Sequence, residues 1–177
     1  MPVARIVSWT LVLVLFAFAL GTYGGLPEQI PTGIDASGNA RGLRERSLLI
    51  WLLVPLMALL IQGMLEFIRA SLPRRPHWFN FPDKDRFLRL PARFRPPVIE
   101  AMRATLDITA AVGHLPLFLV QYLIWQTAIG NPSSSGVVFI LVGSAFIGPV
   151  ILITVGRVGT ATEEAERRWK AEGSPTE

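Results

Sequence analysis

The chain has 177 residues, 51% of them hydrophobic, a formal net charge of +4 and no cysteine. A mean hydropathy of +0.44 excludes an ordinary soluble domain. The missing cysteines exclude disulfides, thiol catalysis and thiolate-bound metals. Residues 6–27 carry no charge, and a bilayer core takes about 20 apolar residues per helix. They predict a first membrane helix over 6–23. This span is expected to be retained, because Leu20 continues the apolar run past Ala17-Phe18-Ala19, where a cleaved signal peptide would turn polar. Gly21 and Gly25 have the G-x-x-x-G spacing of close helix contacts, but Gly24-Gly25 reads more simply as the helix end.

The loop over 24–47 opens on Leu26-Pro27-Glu28-Gln29-Ile30-Pro31-Thr32 and continues to Asp35-Ala36-Ser37-Gly38-Asn39. The prolines favour an extended entry, and Asp35, Ser37, Gly38 and Asn39 are turn formers. The loop is therefore expected to be ordered over the bundle. Its acidic spacing does not suit a calcium loop.

An apolar helix, then Leu26, Pro27, Glu28, Gln29 and Pro31, then Asp35, Ser37, Gly38 and Asn39, then a second apolar helix, resembles a bacterial membrane domain of unknown function. The same domain forms the N-terminal part of the immunity proteins against the sporulation-delaying toxin. The resemblance covers roughly residues 8–68. Gly33 and Ile34 stand where the family usually has a histidine and an aromatic residue. The resemblance implies a small multi-span protein of the bacterial cell (inner) membrane. In some members it implies toxin immunity and signal relay. It implies no catalytic residues.

A second helix is predicted over 48–68, kinked at Pro55 where neighbours satisfy the freed carbonyl. Gln62, Glu66 and Arg69 share one of its faces near one end. The loop over 69–103 is basic and aromatic. Arg74, Arg75, Trp78, Phe79, Arg86, Arg89 and Arg93 suit a surface of anionic lipid headgroups, and Phe79, Phe81, Phe87 and Leu88 need burial somewhere. No nucleic-acid-binding fold accompanies the charge, and no nucleic-acid partner is expected.

Between Asp107 and Arg157 lie 49 residues without a formal charge, broken only by the polar turn at 130–136. They predict two further helices over 104–129 and 137–156. On the third helix Asp107, His114 and Gln121 are seven apart and share a face. Polar groups within spans are functional candidates. The simpler reading makes Arg103–Asp107 and Glu66–Arg69 interface pairs and gives His114 a backbone carbonyl. On the fourth helix Ser144 and Gly148 form a small-residue face, expected to pack inside the bundle or against a partner membrane protein. Gly148-Pro149 suggests a kink. The tail over 157–177 is expected to be cytoplasmic and to contain a polar helix near 160–172, with Glu163–Arg167, Glu164–Arg168 and Glu166–Lys170 at favourable i,i+4 spacing.

Counting Lys and Arg in alternate segments gives 14 on the side of the termini and the 69–103 loop, and 3 on the other. The positive-inside rule then makes both termini cytoplasmic. The expected fold is an all-α bundle of four membrane helices in a single domain. The expected function is non-enzymatic: immunity or sensing through the outer loop. One alternative is an accessory subunit of a larger membrane complex. Another is an enzyme or proton carrier on the Asp107/His114 face. No cofactor, metal site or catalytic constellation is expected.

Overall fold

The computed structural model describes residues 2–35, 37–132, 134–145 and 147–173. Ala36, Ser133, Phe146 and the end of the tail, to which parts of the turn, loop and tail expectations belong, lie outside them. The chain is 74% helical. Among the described residues, four helical stretches are long and apolar enough to cross a membrane: Val3–Tyr23, Leu53–Ser71, Pro96–Ala128 and Ile140–Ala171.

Helix α1 (Pro2–Tyr23) ends just before Gly24-Gly25. A Cβ built at Gly21 would meet nothing within 4 Å, so no close helix contact uses the G-x-x-x-G pair. The following loop is not purely irregular, and the fold is not purely α. Strands β1 (Gln29–Ile34) and β2 (Ala40–Glu45) pair antiparallel, with Ile30 opposite Arg44 and Gly33 opposite Arg41. The turn uses the residues the sequence singled out. Asp35 Oδ1 accepts from the Ser37 N–H at 2.8 Å and the Asn39 N–H at 2.9 Å, while Gly38 takes a φ of 83°.

The predicted second helix is two pieces, α2 (Leu48–Trp51) and α3 (Leu53–Ser71). The break at Leu52 follows from Pro55, which has no N–H for the Trp51 carbonyl and crowds it. Helix α4 (Lys84–Arg89) lies in the basic segment. Helix α5 (Pro96–Ala128) has 33 residues, begins on a proline and ends before Gly130 at a φ of 81°. At 1.5 Å per residue it is about 50 Å long. A hydrocarbon core is about 30 Å thick, so α5 extends well past it.

The predicted fourth helix and the predicted tail helix are divided differently. Helices α6 (Ser134–Ala145) and α7 (Ile147–Ala171) lie on either side of Phe146, and α7 runs unbroken into the tail. The Glu164–Arg168 and Glu166–Lys170 pairs are made. Glu163–Arg167 is not among the ion pairs of the described residues. The small residues do not pack inside the bundle as expected. Ser144 is exposed, and a Cβ built at Gly143, Gly148 or Gly156 would meet nothing within 4 Å.

Helix α5 is the hub, packed against α1, α3, β1, α6 and α7. Three apolar cores line up along it. The hairpin end gathers Ala19, Leu26, Ile30, Trp51 and Ile124, and the middle gathers Val12, Leu15 and Ala58. The tail end gathers Leu72, Phe87, Leu90, Phe94, Val98, Met102, Val158 and Ala165. Full burial of Phe87 contributes roughly 1.5–3 kcal/mol. The basic segment therefore folds onto α5 and α7 and is not a slack loop.

Candidate functional site

A polar seam runs along the interface of α5 with α2 and α3. Asp107, His114 and Gln121 are 4%, 2% and 1% exposed, so the seven-residue spacing does place them on one inward face. Each meets the antiparallel neighbour in turn. Asp107 Oδ1 lies 3.1 Å from Arg69 Nε, His114 Nε2 lies 3.2 Å from the Ala58 carbonyl oxygen, and Gln121 Nε2 donates to the Trp51 carbonyl at 3.5 Å. The His114 Nδ1 faces the Ala110 carbonyl of its own helix. Each ring nitrogen donates to the carbonyl it faces only when it carries the proton. The Trp51 carbonyl is the one Pro55 leaves without its helical donor. Gln121 supplies the replacement, as the kink required.

At the tail end the seam widens into a junction of three helices. Glu66 of α3 accepts from Arg5 of α1 through Nε at 2.7 Å and Nη2 at 3.0 Å, and from Trp9 Nε1 at 3.0 Å. Gln62 Nε2 reaches the same carboxylate at 3.5 Å. The expected Glu66–Arg69 and Arg103–Asp107 pairs are thus replaced. Arg5 takes Glu66 with a bidentate fork, and Arg69 crosses to the buried Asp107. Arg103 turns to Glu100, with Nη1 3.8 Å from Oε2. The physical reason is burial. A carboxylate as enclosed as Asp107 needs a cation beside it, whereas Glu66 sits at a side-chain exposure of 21%. Arg5 and Trp9, a helical turn apart on α1, were missed as site residues. Their i,i+4 spacing, opposite Gln62 and Glu66 at the same depth, was the available signal.

At the other end the hairpin is seated on α5. Ile30 is fully buried, and Thr127 Oγ1 donates to the Gly38 carbonyl at 3.3 Å. Arg46 closes the loop: Nη1 donates to the Leu26 carbonyl at 2.7 Å, and the guanidinium lies over the Tyr23 ring. Of the motif residues, Leu26 and Pro31 are buried, Pro27, Glu28 and Gln29 are exposed, and Asp35, Ser37, Gly38 and Asn39 build the turn. Every residue of β2 is exposed. The Asn39 and Ser37 N–H groups, helped by Arg41, hold the Asp35 carboxyl below its ordinary value.

The lipid-surface candidates divide. Arg74, Arg86, Arg89 and Arg93 are exposed, with Arg86 3.6 Å from Asp83 and Arg93 3.3 Å from Glu172. Arg75 lies 4.2 Å over the ring of Trp78, which is 54% exposed. Phe79, Phe81 and Leu88 pack against the tail-end core, so their burial does not require lipid. Among the described residues, no group of three or more His, Asp or Glu side chains is placed to hold a metal ion.

No protein-family model matches this chain, and no curated protein or solved structure matches it significantly. Four helices of sufficient length and apolarity make it a membrane protein by class.

Proposed function

We propose that the chain is a non-enzymatic protein of the bacterial cell membrane, of the immunity or sensing type, which meets an external agent through the β1–β2 hairpin. Both termini and the basic segment are cytoplasmic in this reading, with Arg74, Arg75 and Arg89 against anionic headgroups. The observation that carries it is the seating of the hairpin on α5, the same helix that forms the tail-end core with Phe87, Leu90 and Phe94. An event at the exposed β2 thereby has one continuous helix leading to the opposite face. The resemblance of residues 8–68 to the immunity-type membrane domain supports the same reading. The test loosens the seat with Ile30→Ala and follows hydrogen exchange in nanodiscs. Exchange around Phe87–Phe94 is expected to rise. Wild-type rates there, together with a loosened hairpin, would sink the relay.

A second reading, an accessory subunit of a larger membrane complex, is favoured by one observation. Among the described residues, a Cβ built at Gly143 or Gly148 would meet nothing within 4 Å, and Ser144 between them is exposed. Closely approaching helices use such faces. Co-purification of a second membrane protein, abolished by Gly148→Leu at unchanged abundance, is the outcome that supports it. Retention of that protein by the variant removes α6–α7 as the contact.

A further inference from the structure

We propose that the junction between α3 and α5 is a binding site for a single buried water molecule, held by Gln62, Asp107 and Arg69. Three atoms there have no hydrogen-bonding protein partner: Gln62 Oε1, Asp107 Oδ2 and Arg69 Nε. The Arg69 Nε–Asp107 Oδ1 distance of 3.1 Å is an ion-pair contact in which the N–H is not aimed at the oxygen. All three residues line one cavity, together with Leu65, Glu66, Leu106 and Ala110. Gln62 and Asp107 are 2% and 4% exposed, so bulk solvent does not serve them. Buried polar atoms left unpaired cost about 1–3 kcal/mol each.

The three atoms define the ligand by their chemistry. Two are acceptors and one is an N–H donor. Water donates two hydrogen bonds and accepts up to two, and buried waters make about three. The cavity measures about 10 Å³, which is the room one water needs and less than two would take. A metal cation fits poorly, because the Arg5 and Arg69 guanidinium groups flank the site and Arg69 is one of its three partners.

The water completes a chain across three helices. From Arg5 on α1 it passes to Glu66, to the Gln62 amide nitrogen, through the Gln62 oxygen to the water, and on to Asp107 and Arg69. Gln62 is the positioning residue. Its nitrogen is committed to Glu66, which turns its oxygen toward the cavity.

The test is a high-resolution density map of the full chain in nanodiscs, wild type beside Gln62→Met, which matches the length of glutamine but has no amide. A peak is expected at about 2.7–3.2 Å from all three atoms in the wild type, and its loss is expected in the variant. A wild-type map without that peak, or with Gln62 and Asp107 in direct contact, overturns the proposal. So does a peak that survives Gln62→Met unchanged. If the variant fails to fold, the wild-type map decides alone. Infrared spectra of ¹³C-aspartate protein give a second readout. A carboxylic-acid band that Asp107→Asn removes, together with Gln62 and Asp107 in direct contact in the map, would mean that Asp107 itself donates to Gln62, which also overturns the water.

Discussion

Pro55 and Gln121 sit on different helices yet act as one unit. The proline removes the donor that the Trp51 carbonyl would have in an unbroken helix, and Gln121 restores one from α5. Gln121→Leu should therefore leave a buried carbonyl unpaired and destabilise the protein by about 1 kcal/mol, within the range for interhelical bonds in membranes. Pro55→Ala returns the backbone N–H. In the double variant Gln121→Leu should cost measurably less than it does alone. A double-mutant cycle on unfolding in mixed micelles reads this coupling. Additive effects would mean that the two residues are independent and that the 3.5 Å contact contributes nothing. Asp107 and Arg69 differ in kind. Removing one partner strands a buried charge, for which about 3–5 kcal/mol is typical.

At the scale of elements, the hairpin depends on its turn, and the turn depends on a carboxylate. Asp35 is held below its ordinary value of 3.8 by the N–H groups of Asn39 and Ser37. A group with a depressed folded value stabilises fully above its unfolded value and loses that contribution as pH falls through the folded one. The amide signals of Gly38 and Asn39 should thus hold steady from neutral pH to about 4 and shift below it. Asp35→Asn keeps an oxygen acceptor that does not titrate, so its acid response should vanish. An equal response in the variant would assign the change to another group. The turn was legible because Asp35, Ser37, Gly38 and Asn39 each have a local backbone preference. The strands were not, because Pro31 and Gly33 break any β pattern in one and Arg41, Gly42, Arg44 and Glu45 fill the other. Gly42 takes a φ of 66°, and a Cβ there would lie 2.4 Å from Thr32 Oγ1, a constraint no single-strand pattern reveals.

At the scale of the whole molecule, long uncharged runs made the spans legible, because lipid demands them whatever the tertiary packing. The seven-residue spacing of Asp107, His114 and Gln121 made their shared face legible too. Pairing was not legible, since Arg5 reaches Glu66 and Arg69 reaches Asp107 between helices far apart in the chain. Burial of Phe87 at the junction of α4, α5 and α7 was equally a product of tertiary packing. The same two ends of α5 differ in charge. The hairpin segment, seated on Thr127 through Gly38, carries Arg41, Arg44 and Arg46, while the other Lys and Arg residues, 14 in number, belong to the N-terminus, the 69–103 segment and the tail. Basic residues flanking spans are retained on the cytoplasmic face. The hairpin should therefore be external and α4 internal. Ala40 on β2 and Asp85 on α4 are both exposed, and the chain has no cysteine of its own. Single cysteines at these positions can be challenged with an impermeant maleimide. Ala40→Cys is expected to label in intact cells, and Asp85→Cys only after permeabilisation. The reverse pattern would put the hairpin inside the cell, where it could meet no external agent, and the sensing reading would fall with it.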